Sequence, residues 1–188
     1  MLATTPVLNQ TSRPMRTITI QAAALIDAPA ERVYGILADY KDGHPGILPK
    51  SFFESLTVEK GGYGAGTVFS VTSKFLGIRR TARMVVSEPQ PGCLLAETDD
   101  EHGLYTTFRV SPEHHDRHAH VTIQTDFRRS PGLRGVIEAW LYPKMFRSVY
   151  VAELEQLARL SNVRGQKSDV TRQEAIAGAG SRGRVIAS

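Results

Sequence analysis

Polar and apolar residues alternate with a period of two over residues 17–27, which puts Ile18, Ile20, Ala22, Ala24 and Ile26 on one side of a half-buried strand. Asp27-Ala28-Pro29 stops the strand, and Asp27 is placed to cap the next segment. There Val33, Ile36, Leu37 and Tyr40 recur at helical spacing, predicting a short helix over residues 30–39. Residues 42–48, broken by Pro45 and ended before Pro49, predict a second helical turn. Beyond Ser51 the pattern changes to short segments separated by turn chemistry, the mark of antiparallel strands; these fall at residues 52–59, 67–75, 79–88, 93–98, 104–111 and 119–127. Gly61, Gly62, Gly64 and Gly66 make the first turn; Gly77 and residues 89–92, 99–103 and 112–118 make the others. Ala82, Met84 and Val86 oppose Arg79, Thr81 and Arg83, and Val121, Ile123, Thr125 and Phe127 oppose His120, Thr122, Gln124 and Asp126. One sheet face is therefore apolar and the other wet.

Residues 131–161 form a long amphipathic run. Ser130 supplies a capping side chain and Pro131 a first-turn residue. Val136, Trp140, Pro143, Tyr150, Leu154 and Leu157 then recur at spacings that place them along one side of a helix, with Arg147 among them. Pro143 predicts a kink. Strand, two short helices, six strands and a long helix together predict an α+β fold, a seven-stranded antiparallel sheet crossed on its apolar concave face by one helix. A curved sheet meets a helix along a line, so a cavity is expected beside the contact.

Charge and composition divide the chain. Of 188 residues, 1–15 and 162–188 lack periodicity and are expected to be disordered tails, the second basic; the domain is expected over 16–161. The formal charge of +4 resides in the tails, since residues 16–161 hold equal numbers of basic and acidic side chains, so the high pI argues little for nucleic acid. A single cysteine, Cys93, excludes an internal disulfide and fits a reducing, cytoplasmic setting. No apolar run approaches the roughly 20 residues of a membrane-spanning helix, and the N-terminus lacks the apolar segment of a secretory signal.

The element order, the strand entering Ile26-Asp27-Ala28-Pro29-Ala30-Glu31-Arg32-Val33-Tyr34, the Pro89-Gln90-Pro91-Gly92 turn, and the closing helix with Tyr150, Glu153, Leu154 and Leu157 resemble the START-like (SRPBCC) superfamily over about residues 17–161. That superfamily includes birch-pollen-allergen-type proteins and those labelled polyketide cyclase or dehydrase. The resemblance implies a helix-grip (Bet v 1-like) fold around a cavity for a hydrophobic ligand. It leaves the reaction open, because members range from lipid carriers to cyclases. Aromatase and cyclase members are expected to place several polar groups inside the cavity, whereas the inner face inferred here offers mainly Ser, Thr and Arg147. The Cys and His set of the Rieske oxygenase branch is missing, and no cofactor is expected.

The candidate ligand-binding residues are Tyr40, His44, Thr106, Phe108, Thr125, Phe127, Trp140, Arg147 and Tyr150. Arg147 would fix an anionic end of an apolar ligand, or else pack its stem on the sheet and release its head to solvent. Trp140, Tyr150, Phe108 and Phe127 would form walls, with Thr106 and Thr125 as polar contacts. Tyr40 and His44 are expected at the cavity mouth, His44 as a loop residue without an identifiable orienting partner. His114, His115, His118 and His120 with Asp116 are dense, but they lie in a turn without a recognised metal-ligand spacing, so no metal site is assigned. Cys93 lacks a group to activate it and is expected to be a buried packing residue. Arg79, Arg80 and Arg83, and likewise Arg128 and Arg129, lack interleaved aromatics, and residues 61–66 lack the Lys and helix of a phosphate loop. Two functions of the cavity remain, binding a hydrophobic or amphipathic small molecule or polyketide cyclase/dehydratase-type catalysis in the same cavity, and a third reading is an interaction module whose basic tails contact acidic partners or membranes. Catalysis would need a pair of titratable groups in contact inside the pocket, and no such pair stands out from the sequence.

Overall fold

The computed structural model describes residues 17–75, 77–128 and 131–180, with side chains as far as residue 162 apart from positions 134, 137 and 138. Ser130, Arg129 and the expected N-terminal tail lie outside the described residues. The alternating segments become β1 (Thr17–Ile26), β2 (Phe53–Lys60), β3 (Val68–Phe75), β4 (Ile78–Gln90), β5 (Leu94–Asp99), β6 (Leu104–Glu113) and β7 (His118–Arg128). The helical segments become α1 (Ala30–Ala38), α2 (His44–Ile47) and α3 (Gly132–Gly180). All seven strands form one antiparallel sheet in the order β1-β7-β6-β5-β4-β3-β2. The chain thus crosses from one edge strand, β1, to the other, β2, by way of α1 and α2. Breaks in pairing register in β2 and between Ser87 and Gln90 of β4 supply local bends in the sheet. This is the helix-grip fold.

The core lies between the inner sheet face and the helices, with Ile26, Val33, Leu37, Leu95, Ile123 and Leu157 fully buried. Alternation in β4 and β7 runs as the pattern requires: Met84 and Val86, and Val121, Ile123, Thr125 and Phe127, point inward. On the wet face Arg83 pairs with Glu59 at 2.8 Å and Arg79 with Glu54 at 2.8 Å. No helix among the described residues is long and apolar enough to cross a membrane.

Three local expectations are corrected. Asp27 does not cap α1, whose N-cap, Pro29, makes no side-chain cap bond; instead the Ala30 N–H donates to Asp116 Oδ1 at 3.1 Å from the β6–β7 turn. That turn holds His114, His115 and Asp116 at positive φ, so its function in the fold is to bend sharply and reach the helix start. Cys93 is exposed rather than buried. The third correction concerns α3. Its buried stripe runs through Val149, Tyr150, Glu153, Leu154 and Leu157, with half-buried Tyr142 and Phe146 continuing it toward the N-terminus. At about 100° per residue, Trp140 and Arg147 fall roughly a quarter turn or more to the side of that stripe, and both are exposed, Trp140 at 65%, as is Val136 at 53%. The helix continues through Pro143 and past Ser161, where the apolar periodicity stops, to Gly180.

Candidate functional site

A cavity of about 900 Å³ lies between the sheet and α3. Its walls are mostly apolar, including Phe69, Met84, Phe108, Phe127, Phe146 and Val149. Its mouth is rimmed by Ile78 at the β3–β4 turn and Leu133 at the start of α3, respectively 72% and 76% exposed, with Arg79, Arg80 and Arg128 beside them. The opposite, buried end carries His44, Glu97, Thr106, Tyr150 and Glu153.

His44 begins α2 and is held there by two contacts with the preceding helix. Its backbone N–H donates to Asp39 O at 2.6 Å, and its Nδ1 lies 2.8 Å from Leu37 O. A carbonyl only accepts, so Nδ1 carries the proton. Gly43 permits this close joint, because a Cβ there would stand 2.4 Å from the Ile36 carbonyl oxygen. The imidazole stacks on Tyr40, centroids 4.5 Å apart, and meets the edge of Phe108 at 5.4 Å. Its Nε2 points to Glu97 Oε1 at 3.4 Å. Tyr40 Oη donates to that same oxygen at 2.5 Å, while the Tyr40 backbone N–H is tied to Gly62 O in the loop after β2.

Glu97 reaches the site because Leu95, Glu97 and Asp99 share the inner face of β5. Burial raises its pKa, and the His44 charge and the Tyr40 hydroxyl oppose the rise. Burial likewise raises Tyr40 well above the ordinary phenol value, reinforced by Glu97. Glu153, on α3, is pushed well above the usual carboxylate range by burial first and by Glu97 second. Tyr150, raised chiefly by burial, donates to Thr125 Oγ1, which lies 2.9 Å from Thr106 Oγ1. Nearer the mouth Asp99 Oδ2 holds His102 Nδ1 at 2.6 Å, and its Oδ1 accepts the backbone N–H groups of Glu101 and His102. Among the described residues no group of three or more His, Cys, Asp and Glu side chains converges as a metal site.

The structure brings Thr106, Phe108, Phe127, Tyr150 and His44 to the cavity wall. Tyr40 lies behind His44 and Thr125 behind Tyr150, each joined to the wall by a hydrogen bond or ring contact. His44 is at the buried end, 2% exposed, and not in a loop at the mouth. Trp140 and Arg147 are not in the cavity: Trp140 is covered on one face by Lys144 Nζ at 4.3 Å, and Arg147 lines a shallow groove on the outer side of α3 with Lys144, Ser148 and Glu155. The residues sequence reasoning missed are Glu97, Asp99, His102, Tyr142, Phe146 and Glu153. Two signals pointed to them: an acid at an inward position beside Leu95, and an acid three residues after Tyr150 and four before Leu157.

A family model described as polyketide cyclase / dehydrase and lipid transport matches residues 17–162. No curated protein sequence matches the chain. Among solved structures, the KanY protein is 24% identical with a TM-score of 0.68, over 79% of this chain and 99% of its own. A norcoclaurine synthase point mutant from Thalictrum flavum, in complex with a transition state analogue, is 17% identical with a TM-score of 0.62, over 80% and 97%. The Zhui aromatase/cyclase from Streptomyces sp. R1128 is 20% identical with a TM-score of 0.60, over 79% and 96%. At these identities the likeness establishes the fold and nothing further.

Proposed function

Because the chain belongs to the polyketide cyclase/dehydrase and lipid transport family, we propose that it takes a hydrophobic or amphipathic small molecule into the cavity between its sheet and α3. The observation that carries this reading is the cavity itself: about 900 Å³ with apolar walls and a few polar groups gathered at one end. Each 100 Å² of apolar ligand surface withdrawn from water contributes about 2.5 kcal/mol. Polar groups at the buried end then fix which end of the ligand enters first. The lone, exposed Cys93 fits a reducing compartment such as the cytoplasm.

The test is binding of an environment-sensitive propionyl-dimethylaminonaphthalene fluorophore to the wild type and to a filled variant. Val71 and Ala82 are cross-strand partners on β3 and β4 and both line the cavity. Val71→Phe with Ala82→Trp is expected to weaken binding by about tenfold or more while leaving the circular dichroism spectrum unchanged. Equal affinity in both proteins places the probe elsewhere and defeats the reading.

A second reading, a cyclase- or dehydratase-type enzyme acting in the same cavity, is favoured by the convergence of Tyr40 and His44 on one oxygen of Glu97. With Nδ1 of His44 committed to Leu37 O, Nε2 is the ring nitrogen that faces the Glu97 carboxyl. Such a pair can accept a proton from carbon next to a ligand carbonyl and return one to oxygen, the step common to ring closure and loss of water. Hydrogen–deuterium exchange at the methyl group of acetylnaphthalene, followed by proton NMR, reads this directly. Wild type is expected to accelerate exchange, and Glu97→Gln to slow it about a hundredfold. A bound ketone whose exchange is not accelerated leaves the carrier reading alone.

A further inference from the structure

Glu153 is the one feature of the buried end that neither the fold nor the His44–Glu97 pair uses. It projects from α3, is 4% exposed and lines the cavity. It has no hydrogen-bond or ion-pair partner among the described residues, although its neighbours on the helix, Tyr150, Leu154 and Leu157, are all engaged in the core. The cations that would answer it are elsewhere. His44 is spent on Glu97 and Leu37, His102 on Asp99, and Arg147 stands on the outer face of the helix. A carboxyl that faces an otherwise apolar cavity with no partner from the protein is placed to meet a partner that arrives from outside.

We infer that Glu153 anchors the ligand by a hydrogen bond to an uncharged acceptor oxygen, such as a carbonyl or ether, so that the cavity selects apolar molecules bearing that group over hydrocarbons and amines. The inference rests on the small-molecule reading above and names its ligand class. The groups around the carboxyl decide among the alternatives. Glu97 and Asp99 on β5, His44 on α2, His102 in the β5–β6 turn, Thr106 on β6 and Tyr150 on α3 share its end of the cavity or the wall nearby. Burial first and the charge of Glu97 second favour the protonated form of Glu153, and a protonated carboxyl donates. At the buried end a ligand anion would meet two acids, because the arginines that line the cavity, Arg79, Arg80 and Arg128, stand at its mouth. A ligand ammonium would require Glu153 to ionise in a buried place, and the desolvation of both charges opposes that pair.

Three probes of one shape separate these cases: acetylnaphthalene, ethylnaphthalene and naphthylmethylamine, titrated calorimetrically into the full-length protein from acid to alkaline pH. The ketone is expected to bind about fivefold to tenfold more tightly than the hydrocarbon, a difference of roughly 1 kcal/mol. Its affinity should fall as pH rises through the titration of Glu153. Glu153→Gln, which keeps a neutral donor, is expected to retain the preference and lose the alkaline fall. Glu153→Leu is expected to remove the preference and leave hydrocarbon binding intact. Equal binding of ketone and hydrocarbon to the wild type, an unchanged preference in Glu153→Leu, or tightest binding of the amine with its loss in Glu153→Gln overturns the inference while leaving the cavity reading standing. Failure of all three probes to bind overturns both.

Discussion

Glu153 and Glu97 are two carboxyls in one low-dielectric end of a cavity, and burial raises the pKa of each. Each proton is therefore held more tightly in the folded chain than in the unfolded one, where the ordinary value is 4.5. A raised folded value means that the protonated group's contribution to stability is fully present below the unfolded pKa and is lost as pH rises through the folded one. Replacing Glu153 by Gln removes that dependence without changing the side chain's size, and Glu97 remains in both proteins. We expect Glu153→Gln to gain stability relative to the wild type in urea denaturation as the buffer moves from about pH 5 to about pH 8. A difference that stays constant across that range would show that Glu153 is not held protonated. None of this was visible at the level of single residues in the sequence, because the partners lie far apart in the chain: Tyr40 and Glu97 are 57 positions from one another. A propensity or a period reports on neighbours a few residues away, and His44 beside Gly43 and Pro45 has the local appearance of a loop residue.

At the scale of elements, α3 carries the sharpest contrast between expected and observed side chains. A stripe drawn through Val136, Trp140, Pro143 and Tyr150 is compatible with helical spacing, but so is one through Tyr142, Phe146, Val149, Glu153 and Leu157, and the two diverge toward the N-terminal end. Packing chose the second, where Phe146 meets Phe127 at 4.6 Å and Tyr150 at 5.9 Å. Phe146→Ala is therefore expected to cost about 2 kcal/mol or more, scaled down from a full core truncation because the ring is half-buried. Trp140→Ala and Arg147→Ala are expected to stay within about 0.5 kcal/mol of the wild type and to leave ligand affinity unchanged. Thermal melts and the fluorophore titration check both statements; a large loss on Arg147→Ala would return that residue to the site. The strands were more legible, since a period of two with one apolar face leaves a single register that buries it. β1, β4 and β7 fall within a few residues of their expected bounds for that reason.

For the whole molecule, seven antiparallel strands closed by one long helix leave space because a single cylinder cannot cover a curved sheet, and the cavity is a consequence of topology before it is a consequence of any residue. The filled variant tests function at this scale, since it alters volume and leaves the polar end untouched. The same scaffold occurs in a structure only 17% identical to this chain, which is possible because hydrophobic pattern and turn chemistry specify such a fold and many side chains satisfy both. The amino-acid sequence by itself determined the order and kind of the elements and the inward faces of β1, β4 and β7, because these follow from periodicities that operate within a few residues; the helix-grip architecture was what the START-like resemblance implied. The tertiary structure alone decided which polar groups enter the cavity. It seated His44 against Glu97, turned Glu153 toward the cavity and Arg147 outward, because burial and charge pairing depend on distances that only the closed sheet and its helix bring about.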